Sequence, residues 1–417
     1  MMAVLAAMSG KACYAESISE VLAGALAASD KLKIPQADLE SAEQHVKEAW
    51  GGWYPSLYVS ADTGHDRTDV PEGPRVHRAA HQDYVSVTQT LWDFGASNAL
   101  IDRAKTIRAQ AEITVEATRQ SVILECAAAY VNLIRSYDVS DSALKADANA
   151  KKRIGFQNAK VAVGAAASLP VLQAKSQIAG TEARSLRARG ALQEAQNRFR
   201  TNCASEPEKR QALVWPRFSA NTMPPSLDDA IDAATSGGTQ GKLAALSIEL
   251  GQETASFFTA KAFGPLVQAR LESIHRDNIS GIAGYEREQT AKIVLTFPFN
   301  LGFTAVNTIN AAESDLRGQA LRAAQTRKQV EETVRNSWKN LEILRENAEA
   351  LHNQAEMSAQ MLDLTRKRGS QSVIELVATE TAFANAASDA MSADADVLIA
   401  AYTLLWATGS LATSMIE

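Results

Sequence analysis

Residues 330–362, VEETVRNSWKNLEILRENAEALHNQAEMSAQML, decide how this chain is read. Val330, Val334, Ser337, Leu341, Leu344, Ala348, Leu351, Ala355, Ser358 and Leu362 recur at alternating spacings of four and three. That rhythm draws one narrow seam of apolar or small residues along a helix. A reversal is expected at 369–377. The rhythm then resumes through Val377, Thr381, Ala384, Ser388, Met391, Ala395, Leu398, Tyr402 and Leu405, so a second helix returns against the first and 302–411 forms one long antiparallel hairpin. An earlier stretch, 95–200, has the same build. Val122, Cys126, Ala129, Leu133, Ser136, Ser140 and Ala143 lead out, a tip falls at 164–172, and Leu172, Ser176, Ala179, Ala183 and Leu186 lead back. An outward arm of roughly 70 residues could reach about 100 Å at ~1.5 Å of rise per residue. No compact globular domain needs such an arm.

Gly164 matches Gly369, Tyr130 matches Trp338, and Tyr54-Pro55 matches Gly264-Pro265, all at an offset of about 205–210 residues. The chain therefore reads as an internal tandem duplication, 16–215 and 216–417, with a period too long for an ordinary solenoid. Each repeat runs through helices, two strands and a long hairpin. In the first, 17–53 is two helical pieces separated near Pro35, which suits the first position of the second piece. Strand 56–66 sets Leu57, Val59 and Ala61 opposite Tyr58, Ser60 and Asp62. A charged loop is expected at 67–81, then a strand at 83–92 with Val85, Val87 and Leu91 opposite Tyr84, Ser86, Thr88 and Thr90. The second repeat offers short helices at 227–234 and 237–262, then strands at 266–276 and 290–299. There Val267, Ala269 and Leu271 oppose Gln268, Arg270 and Glu272, and Ile293, Leu295 and Phe297 oppose Lys292, Val294 and Thr296.

Strands of about 10 residues with one apolar and one polar face have the length and pattern of tilted membrane-spanning strands. An Arg facing lipid near the midplane would cost ~2–4 kcal/mol, so Arg270 and Glu272 must face a watery lumen. Four strands cannot close a barrel, and lipid tolerates no open edge, so the barrel must be shared between protomers. No apolar run of about 18 residues suggests a spanning helix. Residues 1–15, MMAVLAAMSGKACYA, read as an export signal that lacks a positive n-region, with Cys13 a poor match to a lipid-anchor site.

Composition narrows the function. Aromatic residues make up only 6%, and 42 basic against 48 acidic residues leave −6, so no basic footprint for nucleic acid exists. Cys13, Cys126 and Cys203 show neither CxxC nor metal spacing. Cys126 on a helical seam and Cys203 in a loop are expected to stay unpaired, a bridge between them being the minor alternative. His77 and His81 are four apart but are placed in a loop, so they make no metal site. No P-loop, dinucleotide turn or nucleophile motif is present. The chain is not expected to be an enzyme, and no cofactor is implied.

In their order and spacing, several segments resemble the TolC family of outer-membrane channel-tunnels. They are Glu16-Ser17-Ile18-Ser19-Glu20, Tyr54-Pro55-Ser56-Leu57, Thr88-Gln89-Thr90-Leu91-Trp92-Asp93-Phe94-Gly95, the tips Val163-Gly164 and Gly369, and the closing Leu404-Leu405-Trp406-Ala407-Thr408-Gly409-Ser410-Leu411. The resemblance covers nearly the whole chain after residue 15. It implies a mainly α protein with a small β part. Three protomers would build an α-helical barrel across the periplasm and a shared β-barrel in outer-membrane lipid. It also implies docking through a periplasmic adaptor (membrane fusion) protein on an inner-membrane pump of the ABC or RND type, for drug efflux or type I protein secretion. A soluble periplasmic coiled-coil scaffold or adaptor is the alternative.

The resemblance also places the entrance. At the tips, the family's Asp, Arg and Tyr gate positions match Pro170, Gln371 and Arg366. Both halves of the gate's ion pair are thus missing. Of the family's double acidic ring, the first position matches Glu375 and the second Ala378. Three copies of Glu375 would favour cations at a narrow axis. Gly164, Leu169, Arg368 and Gly369 are the expected adaptor-contact residues at the reversals; Arg366, Lys367 and Arg368 also suit a helix C-terminus, as the two glycines suit helix caps.

Overall fold

The computed structural model describes residues 18–68, 76–162, 168–217, 223–279, 284–297, 302–368 and 373–416. The export signal, with Cys13, lies outside them. The chain is mostly helical with four antiparallel strands. In order it runs α1 (Ile18–Ala28), α2 (Asp30–Trp50), β1 (Ser56–Thr68), β2 (Val76–Trp92), α3 (Ala96–Ala162) and α4 (Ser168–Cys203). The second series runs α5 (Leu227–Asp232), α6 (Thr239–Phe263), β3 (Leu266–Asp277), β4 (Tyr285–Thr296), α7 (Thr304–Lys367) and α8 (Val373–Ala407). Two compact units form. A hairpin unit takes 1–35, 115–242 and 327–417, and a sheet unit takes 36–114 and 243–326. Each draws segments from both halves of the chain.

Several boundaries differ from expectation for physical reasons. The first helical break falls at Ser29, and Pro35 lies inside α2. Its ring sits close enough to the helix start that few backbone bonds are lost. Strand β2 starts at Val76, so His81 and the backbone of His77 belong to a strand and not to a loop. Strand β4 runs from Tyr285 to Thr296, earlier than expected. The C-terminal helix also departs from the sequence reading. Glu375–Ala407 is a 33-residue span with mean hydropathy 1.2, long and apolar enough to cross a membrane by length and composition. Its apolarity serves the protein core, since Ala386, Ala390, Ala393, Ala395, Ala401, Tyr402, Leu404 and Leu405 are all buried in the hairpin unit.

The hairpin unit is held by small side chains and a covalent bridge. Cys126 of α3 and Cys203, the last residue of α4, form a disulfide with Cα atoms 4.9 Å apart. The expectation of unpaired thiols is thereby corrected, because α4 extends to residue 203 and brings the second cysteine onto the seam. Tyr130 and Phe199 pack beside the bridge, both fully buried. The segment after α4 is strapped back onto α3. The Tyr130 hydroxyl donates to the Val214 carbonyl at 3.1 Å and accepts from the Val214 N–H at 3.1 Å. Arg210 grips Asp138 with two hydrogen bonds of 2.6 and 3.0 Å. On α8, burial pushes the Tyr402 hydroxyl up to about 12, so the residue stays a neutral phenol.

In the sheet unit, strand order is β1-β2-β3-β4, each pair antiparallel. The junction from β2 to α3 explains the Trp92-Asp93-Phe94-Gly95 stretch. Phe94 and Gly95 take positive φ values of 57° and 90°, and the Asp93 carboxylate accepts from the N–H groups of Gly95 at 3.2 Å and Ser97 at 2.6 Å, capping the helix. Across from this corner, a Cβ on Gly264 would lie 2.4 Å from the Phe94 Cβ and 2.3 Å from the Ala260 carbonyl oxygen, so only glycine fits.

Glu253 of α6 accepts from the Thr106 hydroxyl of α3 at 2.9 Å. Its carboxyl is pushed above the usual range, first by burial and then by Glu249 and Asp102, against the opposing Thr106 bond and Lys105. A raised carboxyl binds its proton more tightly in the folded state. Its contribution to stability is full below the ordinary carboxylate range and is lost as pH rises through the raised value. Glu253→Gln is therefore expected to flatten the fall in thermal stability between acidic and neutral pH. An unchanged slope in detergent-solubilised protein would rule this out.

Candidate functional site

Two places concentrate polar chemistry, one in each unit. The first is the reversal between α7 and α8. Arg366 near the end of α7 donates from Nη2 to Glu380 Oε1 of α8 at 2.9 Å, and the Glu380 side chain is only 14% exposed. Lys367 pairs with Asp363 one turn back at 2.6 Å. Arg368 is exposed and donates its backbone N–H to the Leu364 carbonyl at 2.9 Å, ending the helix. Glu375 is exposed in the first turn of α8, where the helix dipole favours a carboxylate. A groove of about 250 Å³ beside Arg366 and Glu380 is lined by Ser142, Lys145 and Asn149 of α3, with Leu362 and Val377. Sequence reasoning missed Glu380. Its signal is the second acid past Arg366, fourteen residues on, across a reversal that brings the two together.

The remaining tip residues divide by what is described. Gly164, Gly369 and Gln371 lie outside the described residues. Leu169 and Pro170 belong to the first turn of α4, where a proline costs the helix nothing. The structure thus brings Arg366, Arg368 and Glu375 to one reversal.

The second place is the polar face of the sheet. Register puts Thr88 opposite Arg270, Ser86 opposite Glu272 and Arg270 opposite Lys292. The Glu272 side chain is 11% exposed and is the hub. It accepts from the Tyr84 hydroxyl at 3.0 Å, is bonded by the Lys292 ammonium, and has the Arg270 guanidinium 3.8 Å away. The opposite face bears Leu57, Val59, Leu271, Ile293 and Leu295, all more than half exposed. A soluble sheet buries its apolar face and shows its charges. This sheet leaves its apolar face bare and gathers charges of its other face into an ion-paired network around Glu272, the arrangement that a lipid-facing wall demands.

An open sheet inverted in this way, carried by helices of 67 and 64 residues, is the protomer fold of an outer-membrane channel-tunnel. Residues 21–203 match the family model described as outer membrane efflux protein. It is 22% identical over 416 residues to the outer membrane protein TolC of Escherichia coli strain K12, covering 95% of this chain and 83% of that one. The fold is shared with a membrane protein of Pseudomonas aeruginosa, with TM-score 0.80, 18% identity, and 94% and 90% of the two chains covered. It is also shared with the outer membrane protein VceC of Vibrio cholerae, with TM-score 0.77, 15% identity, and 94% and 96% covered. These similarities support an efflux channel of the Gram-negative outer membrane that reaches into the periplasm.

Proposed function

We propose that three copies close their sheets into one barrel and that the resulting duct is the outer component of a tripartite system. The carrying observation is the inverted four-stranded sheet, which ends at β1 and β4 with both outer edges unpaired among the described residues. In lipid those edges must be paired. Two copies would give eight strands, a barrel whose interior side chains fill. Three copies give the smallest closure with room for cargo. Light scattering of the detergent-extracted protein tests the number, and a dimer would overturn it.

The α7–α8 reversal, with Gly164, Leu169, Arg368 and Gly369 at the two tips, is the surface offered to a periplasmic adaptor and through it to an inner-membrane pump of ABC or RND type. Pro170 and Gln371 cannot form an ion pair, so the Arg366–Glu380 bridge takes over in fastening the second tip. Glu375, exposed at the start of α8, sets ion preference at the entrance. Glu375→Gln is expected to lower the ratio of cation to anion permeability of single channels, and an unchanged ratio would sink that role. The cargo is read from a strain lacking the gene. Loss of one or a few proteins from the medium, restored on complementation, marks type I secretion. An unchanged medium with accumulation of a fluorescent dye marks drug efflux. Neither change would overturn the exit-duct reading.

A further inference from the structure

The polar face of the sheet sorts its charges by height. Nearest the helices lie Arg270, Glu272 and Lys292, two cations around one carboxylate. Arg270 adds a second sign that cations are in excess there: its Nε is buried with no acceptor among the described residues. Six residues further along β3 the balance reverses. Arg276 is 3.2 Å from Glu288 and 3.6 Å from Glu286, and the register row Asp62, Gln82, Arg276, Glu286 brings in one more acid from β1. Two tiers therefore stand on one wall, a cationic tier toward the helices and an acidic tier toward the hairpin turns. The rows of Arg270 and Arg276, six residues apart at ~3.3 Å each and tilted ~35–45°, stand about 15 Å apart in height, with Glu288 in the row of Ile274 between them. That exceeds the Debye length of about 10 Å at 0.1 M salt, so the tiers act as separate fixed charges.

We propose that the barrel is an ionic rectifier, with an anion-gathering ring on its periplasmic side and a cation-gathering ring on its outer side. The inference rests on the proposed closure, which turns each tier into a ring and each polar face into lumen. When the outer side is positive, cations driven inward from the acidic ring and anions driven outward from the cationic ring meet between the rings and raise the local conductance. Under the opposite voltage both ions are drawn away and the zone is depleted. Within the barrel, anionic cargo that has passed the entrance meets the cationic ring before the acidic one.

The test is single-channel recording of the full-length protein in planar bilayers, with the periplasmic side identified by orientation-selective blocking. At about 0.1 M KCl, current with the outer side positive is expected to exceed the reverse current by roughly 1.5- to 2-fold, and the asymmetry should vanish near 1 M, where the Debye length is ~3 Å. Glu286→Gln with Glu288→Gln, both on exposed side chains, should weaken the asymmetry. Arg270→Gln with Lys292→Gln should abolish it and shift the channel toward cations. Symmetric wild-type currents at low salt, or asymmetry that survives the Glu286 and Glu288 changes, would overturn the rectifier while leaving the channel intact. An absence of current steps would overturn the channel reading and the rectifier with it.

Discussion

Replacing both bridge cysteines, Cys126→Ser with Cys203→Ser, is expected to destabilise the hairpin unit more than any other pair of conservative changes in it. The bridge spans 77 residues of chain. Closing a loop of that size in the unfolded state is worth about 4–5 kcal/mol in chain-entropy terms. The bridged α4 terminus is also where the 204–217 segment begins its return along α3, anchored by Tyr130 and Arg210. Loss of the bridge should therefore loosen that segment before the long helices melt. Guanidinium unfolding of oxidised and reduced wild type beside the double Ser variant would measure it. Equal midpoints for oxidised and reduced protein would show that the bridge contributes nothing to stability.

The second large effect is expected at the membrane wall. Leu271 is 56% exposed in the middle of the apolar face, in the row of Leu57, Val87 and Ala291. Leu271→Arg puts a charge against lipid and should cost ~2–4 kcal/mol in each copy. Thr290→Arg places the same charge on the polar face beside Glu272, where water solvates it. The first variant should accumulate outside the outer membrane, and the second should insert normally. Equal membrane recovery for the two would mean that the faces have been assigned the wrong way round.

The sequence made some parts of this structure legible and hid others for definable reasons. The 4-3 seams announced α3, α4, α7 and α8, because a helix that packs along its whole length must repeat its contact residues. The middle of each strand was legible in the same way, through Leu57 and Val59, Val85 and Val87, Ala269 and Leu271, and Ile293 and Leu295. The outer ends were not. Above the apolar band both faces meet water or polar headgroups, so the stretches VHRAAH at 76–81 and YEREQ at 285–289 carry no alternation and read as loop. The disulfide was hidden because a spacing of 77 residues has no signature, and a cysteine on an apolar seam looks like any small core residue. Glu272 was legible as a lumen residue from strand phase alone, but its partners required the register between strands. Glu380 needed the reversal itself.

The two bare edges of the sheet have a genetic consequence. A protomer that meets lipid alone exposes β1 and β4 with no partner for their backbone groups, so insertion and assembly have to be one event. With three copies closing the barrel as proposed, one defective subunit spoils the ring, and a cell making equal amounts of normal and insertion-defective protein would keep only roughly one intact ring in eight. Alleles that damage an edge strand should accordingly behave as dominant. Alleles that prevent the protomer from folding at all should be recessive.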